Sequence, residues 1–333
     1  HFSIALIVLV LSAVFLPVEP ASAQEEPDEP TLVADLQTEP FSRAVFREYG
    51  TATDGRFLFW GDDGRRGPEL WITDGTPEGT RLWTEVCPGS CTADPLFFQD
   101  PTPVLFDGER AFFVADDGIH GSELWTSDGT PDGTRLVADF CPGPCSSNIR
   151  EPALIGGRLW LSVALEAQGR EPWVSDGTGG GTSQLADINP TTHSNPDSFV
   201  ASGPWVYFTV KDGGLSLLYR APAAADDVEQ VTSLHAPGGI RVSYSPSGSL
   251  VDHAGMLYFC GYSAAHGYEL WRSDHSYGGA FMVRDIDPVG DGCTVNMVAS
   301  GDALLFVGRD PALGDEVWRS DGLVTGTHVV ADV

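Results

Sequence analysis

Basic residues are scarce in this sequence. It contains 18 lysines and arginines against 47 aspartates and glutamates, which gives a formal net charge of −29. Nucleic acids and anionic membrane surfaces are recognised through basic patches, so neither is expected as a partner. An acidic surface of this kind is typical of a protein that is secreted or that works in a saline environment. A more specific explanation of the negative charge is the binding of divalent cations.

No apolar run is long enough to cross a membrane. Residues 4–15 form an apolar run, whereas a spanning helix needs about 20 such residues. A small-residue cleavage site, Ala21-Ser22-Ala23, follows it. Residues 1–23 are therefore predicted to be a signal peptide that is truncated at its N-terminus, and residues 24–30 an acidic linker. The mature protein is expected to be secreted, either extracellular or at the cell surface.

Motifs that mark catalytic sites are also missing. The sequence contains no GxSxG, no HExxH and no phosphate-binding loop. The histidines are scattered singly, and carboxylates are so numerous that a glycosidase-like pair would not stand out among them. No catalytic residue is predicted, and enzymatic activity is left open, with a non-enzymatic role favoured.

What the chain does contain is one phrase repeated along its length. The clearest copy is ELWTSDGTPDGT at residues 123–134. Further copies stand at residues 69–80, 171–182, 269–280 and 316–327, and a weaker one spans residues 205–220. The spacing of about 50 residues, with short strands and glycine-rich turns in each unit, is the signature of a propeller or a related array.

Within one repeat, apolar segments alternate with tight turns. In the second repeat, strands are predicted over residues 103–106, 110–115, 123–127 and 134–140. Four strands are the number in a propeller blade, so the fold is predicted to be an all-β propeller of four-stranded blades. Trp125 is interpreted as a core residue and Asp128 as a residue that stabilises the turn, because residues that recur in every repeat usually have a structural role.

The repeated phrase resembles that of the bacterial ELWxxDGT repeat proteins. The resemblance covers residues 55–333 and is weakest over residues 203–250. It implies a secreted or surface-attached, propeller-like array, and it supplies no catalytic residue. The turn is also similar to the Asp-box hairpin of sialidase-type propellers, which is a likeness of a turn and not of an active site.

The first residues after the linker match the last strand of a repeat. Residues 31–36 (TLVADL) resemble residues 134–140 (TRLVADF) and 327–333 (THVVADV). Propellers often close by letting one terminal strand complete the blade at the other terminus, which removes open sheet edges. Residues 31–333 are therefore predicted to be one propeller with six repeats present, seven-bladed in the full-length protein. A six-bladed ring and a longer array are the alternatives.

The six cysteines favour disulfides, since their number is even and a signal peptide leads to an oxidising compartment. Two C-x3-C pairs flank Pro-Gly turns at equivalent positions, and strand counting places the other two cysteines on one face. A zinc site is the alternative. The predicted pairs are Cys87 with Cys91, Cys141 with Cys145, and Cys260 with Cys293.

The loops that join the second and third strands of each repeat are expected on one face, together with the connections between repeats. These loops vary most, and ligands commonly bind where variable loops sit on a rigid framework. The candidate ligand-facing residues are Asp62, Asp63, Arg65, Arg66, Asp116, Asp117, His120, Glu166, His266 and Asp310. The four aspartates at 62, 63, 116 and 117 are also calcium candidates, although they lack the spacing of a dedicated calcium loop. No other cofactor is expected.

Three functions are consistent with these observations. The favoured one is a secreted or surface propeller that acts as a non-enzymatic interaction module for a protein or a glycan. The second is a secreted polysaccharide hydrolase or lyase, with its site at the central mouth of the propeller near Lys211, Asp212, Tyr219 and Arg220 of the irregular fourth repeat. The third is a surface or matrix protein that calcium stiffens.

Overall fold

The structure, a computed structural model, describes residues 55–63, 65–88, 103–224, 228–231, 241–243, 250–276, 279–293 and 296–331. Regular structure in these ranges is almost entirely β, with a single 3-10 turn at Gly179–Gly181. The all-β prediction is confirmed. No helix in the described ranges has the length and apolarity needed to cross a membrane. The predicted signal peptide, the acidic linker and the strand at 31–36 lie outside the described residues.

The strands fall into groups that follow the repeats. The first group is β1 (Phe57–Asp62), β2 (Pro68–Thr73) and β3 (Arg81–Thr84). The second is β4 (Leu105–Phe106), β5 (Ala111–Asp116), β6 (Ser122–Ser127) and β7 (Arg135–Ala138). The third is β8 (Arg150–Ile155), β9 (Arg158–Leu165), β10 (Gly169–Ser175) and β11 (Ser183–Gln184).

The second half of the chain continues the pattern. The fourth group is β12 (Asp197–Ser202), β13 (Trp205–Asp212), β14 (Leu215–Pro222) and β15 (Glu229–Gln230), followed by the short β16 (Arg241–Val242). The fifth is β17 (Leu250–His253), β18 (Met256–Ser263), β19 (Gly267–Ser273) and β20 (Ala280–Arg284). The sixth is β21 (Val298–Ser300), β22 (Ala303–Asp310), β23 (Gly314–Ser320) and β24 (His328–Ala331).

Each group forms an antiparallel sheet whose strands pair in chain order. The second, third and sixth sheets have four strands, as predicted, and the first has three within the described residues. The fourth and fifth groups are joined, because β16 pairs with both β14 and β18, and together they form a nine-stranded sheet. Chain-order pairing follows from the short turns, which leave each strand beside the next one.

Apolar side chains on both faces of the inner strands hold neighbouring sheets together. In β5, Phe113 and Ala115 pack against the first sheet, and Phe112 and Val114 pack against the third. A strand buried on both faces needs such a continuous apolar run. Similar clusters lie between the third and fourth sheets and among the fourth, fifth and sixth. The core is thus divided into layers between successive sheets.

The aspartate of the repeated phrase clamps its turn, as predicted. Asp128 Oδ1 accepts hydrogen bonds from the Thr130 backbone N–H at 2.9 Å and from its hydroxyl at 2.6 Å, and Thr130 Oγ1 accepts one from the Gly133 N–H at 3.0 Å. The hydrogen bonds from Thr130 hold the pKa of Asp128 below its usual value. The same pattern recurs at Asp74 and Asp176.

Two of the predicted disulfides are confirmed. Cys141 is bonded to Cys145, and Cys260 is bonded to Cys293 with a Cα–Cα separation of 5.7 Å. Cys87 is also disulfide-bonded, whereas Cys91, its predicted partner, lies outside the described residues. The zinc alternative is therefore wrong for the cysteines that the structure describes.

Candidate functional site

The predicted ligand-facing carboxylates stabilise the hairpins in which they lie. Asp63 accepts hydrogen bonds from the backbone N–H groups of Arg65 at 2.9 Å and Arg66 at 3.1 Å, and it pairs with the Arg66 guanidinium. Asp117 accepts from the His120 N–H at 2.8 Å and lies 2.8 Å from His120 Nδ1, a hydrogen bond that raises the pKa of His120. These side chains already have partners within their own turns.

Of the other candidates, Asp116 shares the hairpin of Asp117, and Glu166, His266 and Asp310 lie in the hairpins of three other repeats. Asp116 accepts a hydrogen bond from the Gly118 N–H at 2.7 Å, and Asp310 accepts one from the Ala312 N–H at 2.7 Å. His266 Nδ1 lies 2.9 Å from Asp285 Oδ2. Glu166 is exposed at the tip of the β9–β10 hairpin.

The four calcium candidates belong to two different repeats. Asp62 ends β1 and Asp63 follows it, and Asp116 ends β5 and Asp117 follows it. Among the described residues, no group of three or more histidines, cysteines, aspartates or glutamates is close enough to hold a metal ion. Calcium binding stays a prediction that rests on the sequence.

The sequence reading missed the glutamate of the repeated phrase. Glu269 is fully buried, with 0% of its side chain exposed. Its Oε2 accepts a hydrogen bond from the Ile286 N–H at 2.9 Å and its Oε1 one from the Asp287 N–H at 3.1 Å. Glu69 and Glu123 bind the backbone after β3 and β7 in the same way. Each glutamate therefore fixes the connection that leads to the next repeat. The sequence signal that could have revealed this role is the recurrence of the glutamate two residues before the tryptophan.

Burial raises the pKa of these glutamates. Desolvation brings the pKa of Glu69, Glu123 and Glu269 to about 7, and the backbone hydrogen bonds oppose this shift only in part. A carboxyl group whose pKa is higher in the folded state binds its proton more tightly there. The folded protein therefore holds more protons than the unfolded chain at weakly acidic pH.

We expect the protein to be most stable near pH 5. Between the unfolded pKa of 4.5 and the folded pKa of about 7 for Glu69, Glu123 and Glu269, the free energy of unfolding should fall as the pH rises. Below about pH 4, Asp128, whose pKa is lowered, becomes protonated and its turn weakens. Thermal unfolding followed by circular dichroism should give a Tm roughly 5 °C lower at pH 7.5 than at pH 5. A Tm that rises steadily over this interval would contradict the prediction.

A polar cleft lies between the third and fourth sheets. Its volume is about 170 Å³. We call it the inter-sheet cleft. β13 supplies Val210, Lys211 and Asp212, β14 supplies Tyr219, and the segment after β11 supplies Ile188 and Asn189.

Lys211 is the only lysine in the sequence. Its backbone N–H donates to the carbonyl oxygen of Ser194 at 2.7 Å, which ties the end of β13 to the segment that enters the fourth repeat. Burial raises the pKa of Asp197, and the charge of Lys211 acts in the opposite direction, so the two groups are close.

Tyr219 forms an aromatic wall of the cleft. Its ring stacks on Phe208, with the ring centroids 6.0 Å apart. Burial, and next the charge of Asp212, raise the pKa of the Tyr219 phenol, so it stays protonated at neutral pH and can both donate and accept a hydrogen bond. The residues that line the cleft thus include a carboxylate at Asp212, a phenol at Tyr219 and an amide at Asn189.

Arg220, the next residue, is not part of the cleft. Its buried guanidinium pairs with Glu229, donates to the carbonyl oxygen of His275 at 2.8 Å and lies 4.0 Å from the Trp205 ring centroid. His275 occupies the turn position that glycine holds in the SDGT copies. The structure therefore divides the irregular segment: Lys211, Asp212 and Tyr219 line the cleft, and Arg220 joins the fourth repeat to the fifth.

Comparison with known proteins gives only distant similarities. No protein-family model and no curated protein matches the sequence. A puromycin-hydrolyzing peptidase from Mycobacterium tuberculosis has 13% identity and a TM-score of 0.47, over 87% of this chain and 44% of that one. A structure from a study of two prolyl endopeptidases has 11% identity and a TM-score of 0.48, over 85% of this chain and 42% of that one. A putative 6-phosphogluconolactonase from Bacteroides fragilis has 12% identity and a TM-score of 0.42, over 85% of this chain and 83% of that one.

These similarities correct one prediction. Several of the similar structures are peptide-hydrolysing enzymes, so the predicted non-enzymatic interaction module is contradicted and is not retained. The chain spans less than half the length of these peptidases. With TM-scores below 0.5 they assign no activity to it.

Proposed function

We propose that the six groups of strands are blades of a secreted β-propeller of the ELWxxDGT repeat type. Strands that pair in chain order, and apolar clusters between successive sheets, support a propeller. The disulfides support an oxidising, extracellular compartment. The repeated phrase supports the family.

We further propose that the inter-sheet cleft recognises the amino-terminal end of a peptide, as the substrate-recognition part of a peptide-hydrolysing protein. The observation that carries this proposal is that Asp212, Tyr219 and Asn189 line one small cleft in a strongly acidic chain. We assign recognition and not bond cleavage, because none of the six lining residues is serine, threonine or cysteine.

The net charge of the protein favours binding of the amino-terminal end of a peptide over its carboxyl-terminal end. A chain with a formal net charge of −29 repels carboxylates and attracts ammonium groups. In the cleft, Asp212 would pair with the terminal ammonium of the peptide. Tyr219 and Asn189 would satisfy the adjacent amide, and the volume of 170 Å³ suits about one residue of the ligand.

The proposal predicts that binding depends on a free amino terminus. A tripeptide amide with a free amino terminus should bind measurably in calorimetric or NMR titration, and its N-acetylated counterpart should bind at least tenfold more weakly. Asp212→Asn should weaken binding of the free peptide by about tenfold, since a charge-assisted hydrogen bond contributes about 1.5–3 kcal/mol. Tyr219→Phe should weaken binding of both peptides, because the contact of the phenol with the peptide amide is common to them.

A matched control is available on another turn. Asp132 is exposed and lies outside the cleft, so Asp132→Asn removes one charge and should leave both affinities unchanged. If Asp212→Asn and Asp132→Asn weaken binding equally, only the overall charge matters and the assignment of the cleft is wrong. Equal binding of the free and acetylated peptides would also overturn it.

A further inference from the structure

The Cys141–Cys145 disulfide lies at the surface. Cys145 is exposed and Cys141 is half-buried, and the bridge closes a loop of only five residues with the sequence CPGPC. A bridge over so short a loop removes little entropy from the unfolded chain, so it contributes little to global stability. Exposed disulfides of this kind are the ones that exchange readily with external thiols.

Both ends of this loop are held by hydrogen bonds that do not depend on the bridge. Before the loop, the N–H groups of Phe140 and Cys141 donate to the buried Glu123 carboxyl at 3.2 and 3.3 Å. After it, the Ser147 N–H donates to the carbonyl oxygen of Ser122 at 3.1 Å. These bonds would keep the two sulfur atoms near each other after reduction, so that the bridge can form again.

The second disulfide has the opposite environment. Cys260 and Cys293 are 2% and 3% exposed, and both belong to the core cluster of the fourth to sixth repeats. An attacking thiolate must approach a sulfur atom along the S–S axis. The side chains packed around Cys260 and Cys293 block this approach. The chain therefore contains its own control for disulfide reactivity.

We propose that the Cys141–Cys145 disulfide is a thiol-exchange site that reacts with uncharged, low-molecular-weight thiols at the sulfur of Cys145. The thiolate of the small molecule attacks Cys145 Sγ and forms a mixed disulfide with it. The Cys141–Cys145 bond breaks, and its electron pair leaves on Cys141 Sγ, which takes a proton from water. A second thiolate then attacks the small-molecule sulfur and releases Cys145, so that two thiols are oxidised and one protein disulfide is reduced.

The electrostatics set the class of thiol. The chain carries a formal net charge of −29, and Asp139 and Glu123 lie close to one another beside the loop. Anionic thiols are repelled from such a surface, whereas uncharged ones are not. Exposure directs the attack to Cys145, since Cys141 is partly covered where its N–H meets Glu123.

The test treats the native protein with graded concentrations of 2-mercaptoethanol. After brief exposure the reaction is quenched with acid, free thiols are alkylated, and peptides are mapped by mass spectrometry. Cys141 and Cys145 should open at a thiol concentration at least about tenfold lower than Cys260 and Cys293. At short times the mixed disulfide should be found on Cys145. Opening of both disulfides at the same concentration, or an adduct on Cys141, would overturn the proposal.

A variant tests whether the loop is held without its bridge. The double variant Cys141→Ser, Cys145→Ser should keep its thermal unfolding within a few degrees of the parent, because Glu123 and Ser122 still hold the loop ends. A large fall in unfolding temperature would show that the bridge is structural, and the exchange site would then be rejected.

Discussion

Replacing Glu269 by alanine should lower the free energy of unfolding by about 3–5 kcal/mol, since each buried N–H left without an acceptor costs about 1–3 kcal/mol. The carboxyl group accepts hydrogen bonds from the backbone N–H groups of Ile286 and Asp287, and alanine can reach neither. The side chain is fully buried, so water cannot take its place without opening the core. Urea denaturation followed by tryptophan fluorescence measures the change.

The matched control is Glu166→Ala. Glu166 is exposed at a hairpin tip, so its removal should change the free energy of unfolding by less than about 0.5 kcal/mol. If Glu269→Ala is as mild as Glu166→Ala, the buried carboxyl group does not anchor the connection between repeats, and the interpretation of the repeated glutamate is wrong.

Gly121→Ala is the second substitution with a large expected effect. Gly121 has φ +68°, and a Cβ there would lie 2.7 Å from the carbonyl carbon of Cys145. The backbone conformation costs alanine about 1 kcal/mol, and the collision with the neighbouring backbone adds about 1–3 kcal/mol. The free energy of unfolding should therefore fall by about 3 kcal/mol in total, measured by urea denaturation.

Gly108→Ala separates the two contributions. Gly108 has φ +101°, and a Cβ there would meet nothing within 4 Å. Gly108→Ala should therefore lower the free energy of unfolding only through the unfavourable backbone conformation, by about 1 kcal/mol. If Gly108→Ala and Gly121→Ala lower the free energy of unfolding equally, then Gly121 is not in close contact with the backbone of Cys145, and the prediction is wrong.

Local features of this fold could be predicted well because local chemistry produces them. The strand β6 forms because its residues are a short apolar run. The turn at Asp128 forms because this aspartate accepts a hydrogen bond from the backbone two residues ahead. Both features can be recognised from a few adjacent residues. The Cys141–Cys145 bridge is equally local. Because the phrase recurs, the same interpretation applies to the other repeats, and the pairing of strands in chain order was predictable. The joining of the fourth and fifth groups through β16 was not predicted.

The candidate site depended on packing between repeats. Tyr219 and Arg220 are neighbours in sequence, yet they project to opposite faces of β14, so one lines the inter-sheet cleft and the other pairs with Glu229. Asn189 reaches the cleft from a different repeat. The buried acceptor role of Glu269 likewise needs backbone N–H groups that lie 17 and 18 residues away.

The β architecture, the turn chemistry and the Cys141–Cys145 disulfide follow from the sequence, since strand alternation, tight turns and the C-x3-C spacing act over short stretches of chain. The Cys260–Cys293 disulfide joins cysteines 33 residues apart, and it was predicted from the order of strands in the repeats. Packing between the sheets determines which polar groups come together. The stacking of one sheet on the next brings Lys211 and Asn189 into a single cleft and buries Glu269 against a distant connection. Contacts between sheets join residues from separate repeats, and no periodicity within one strand encodes them.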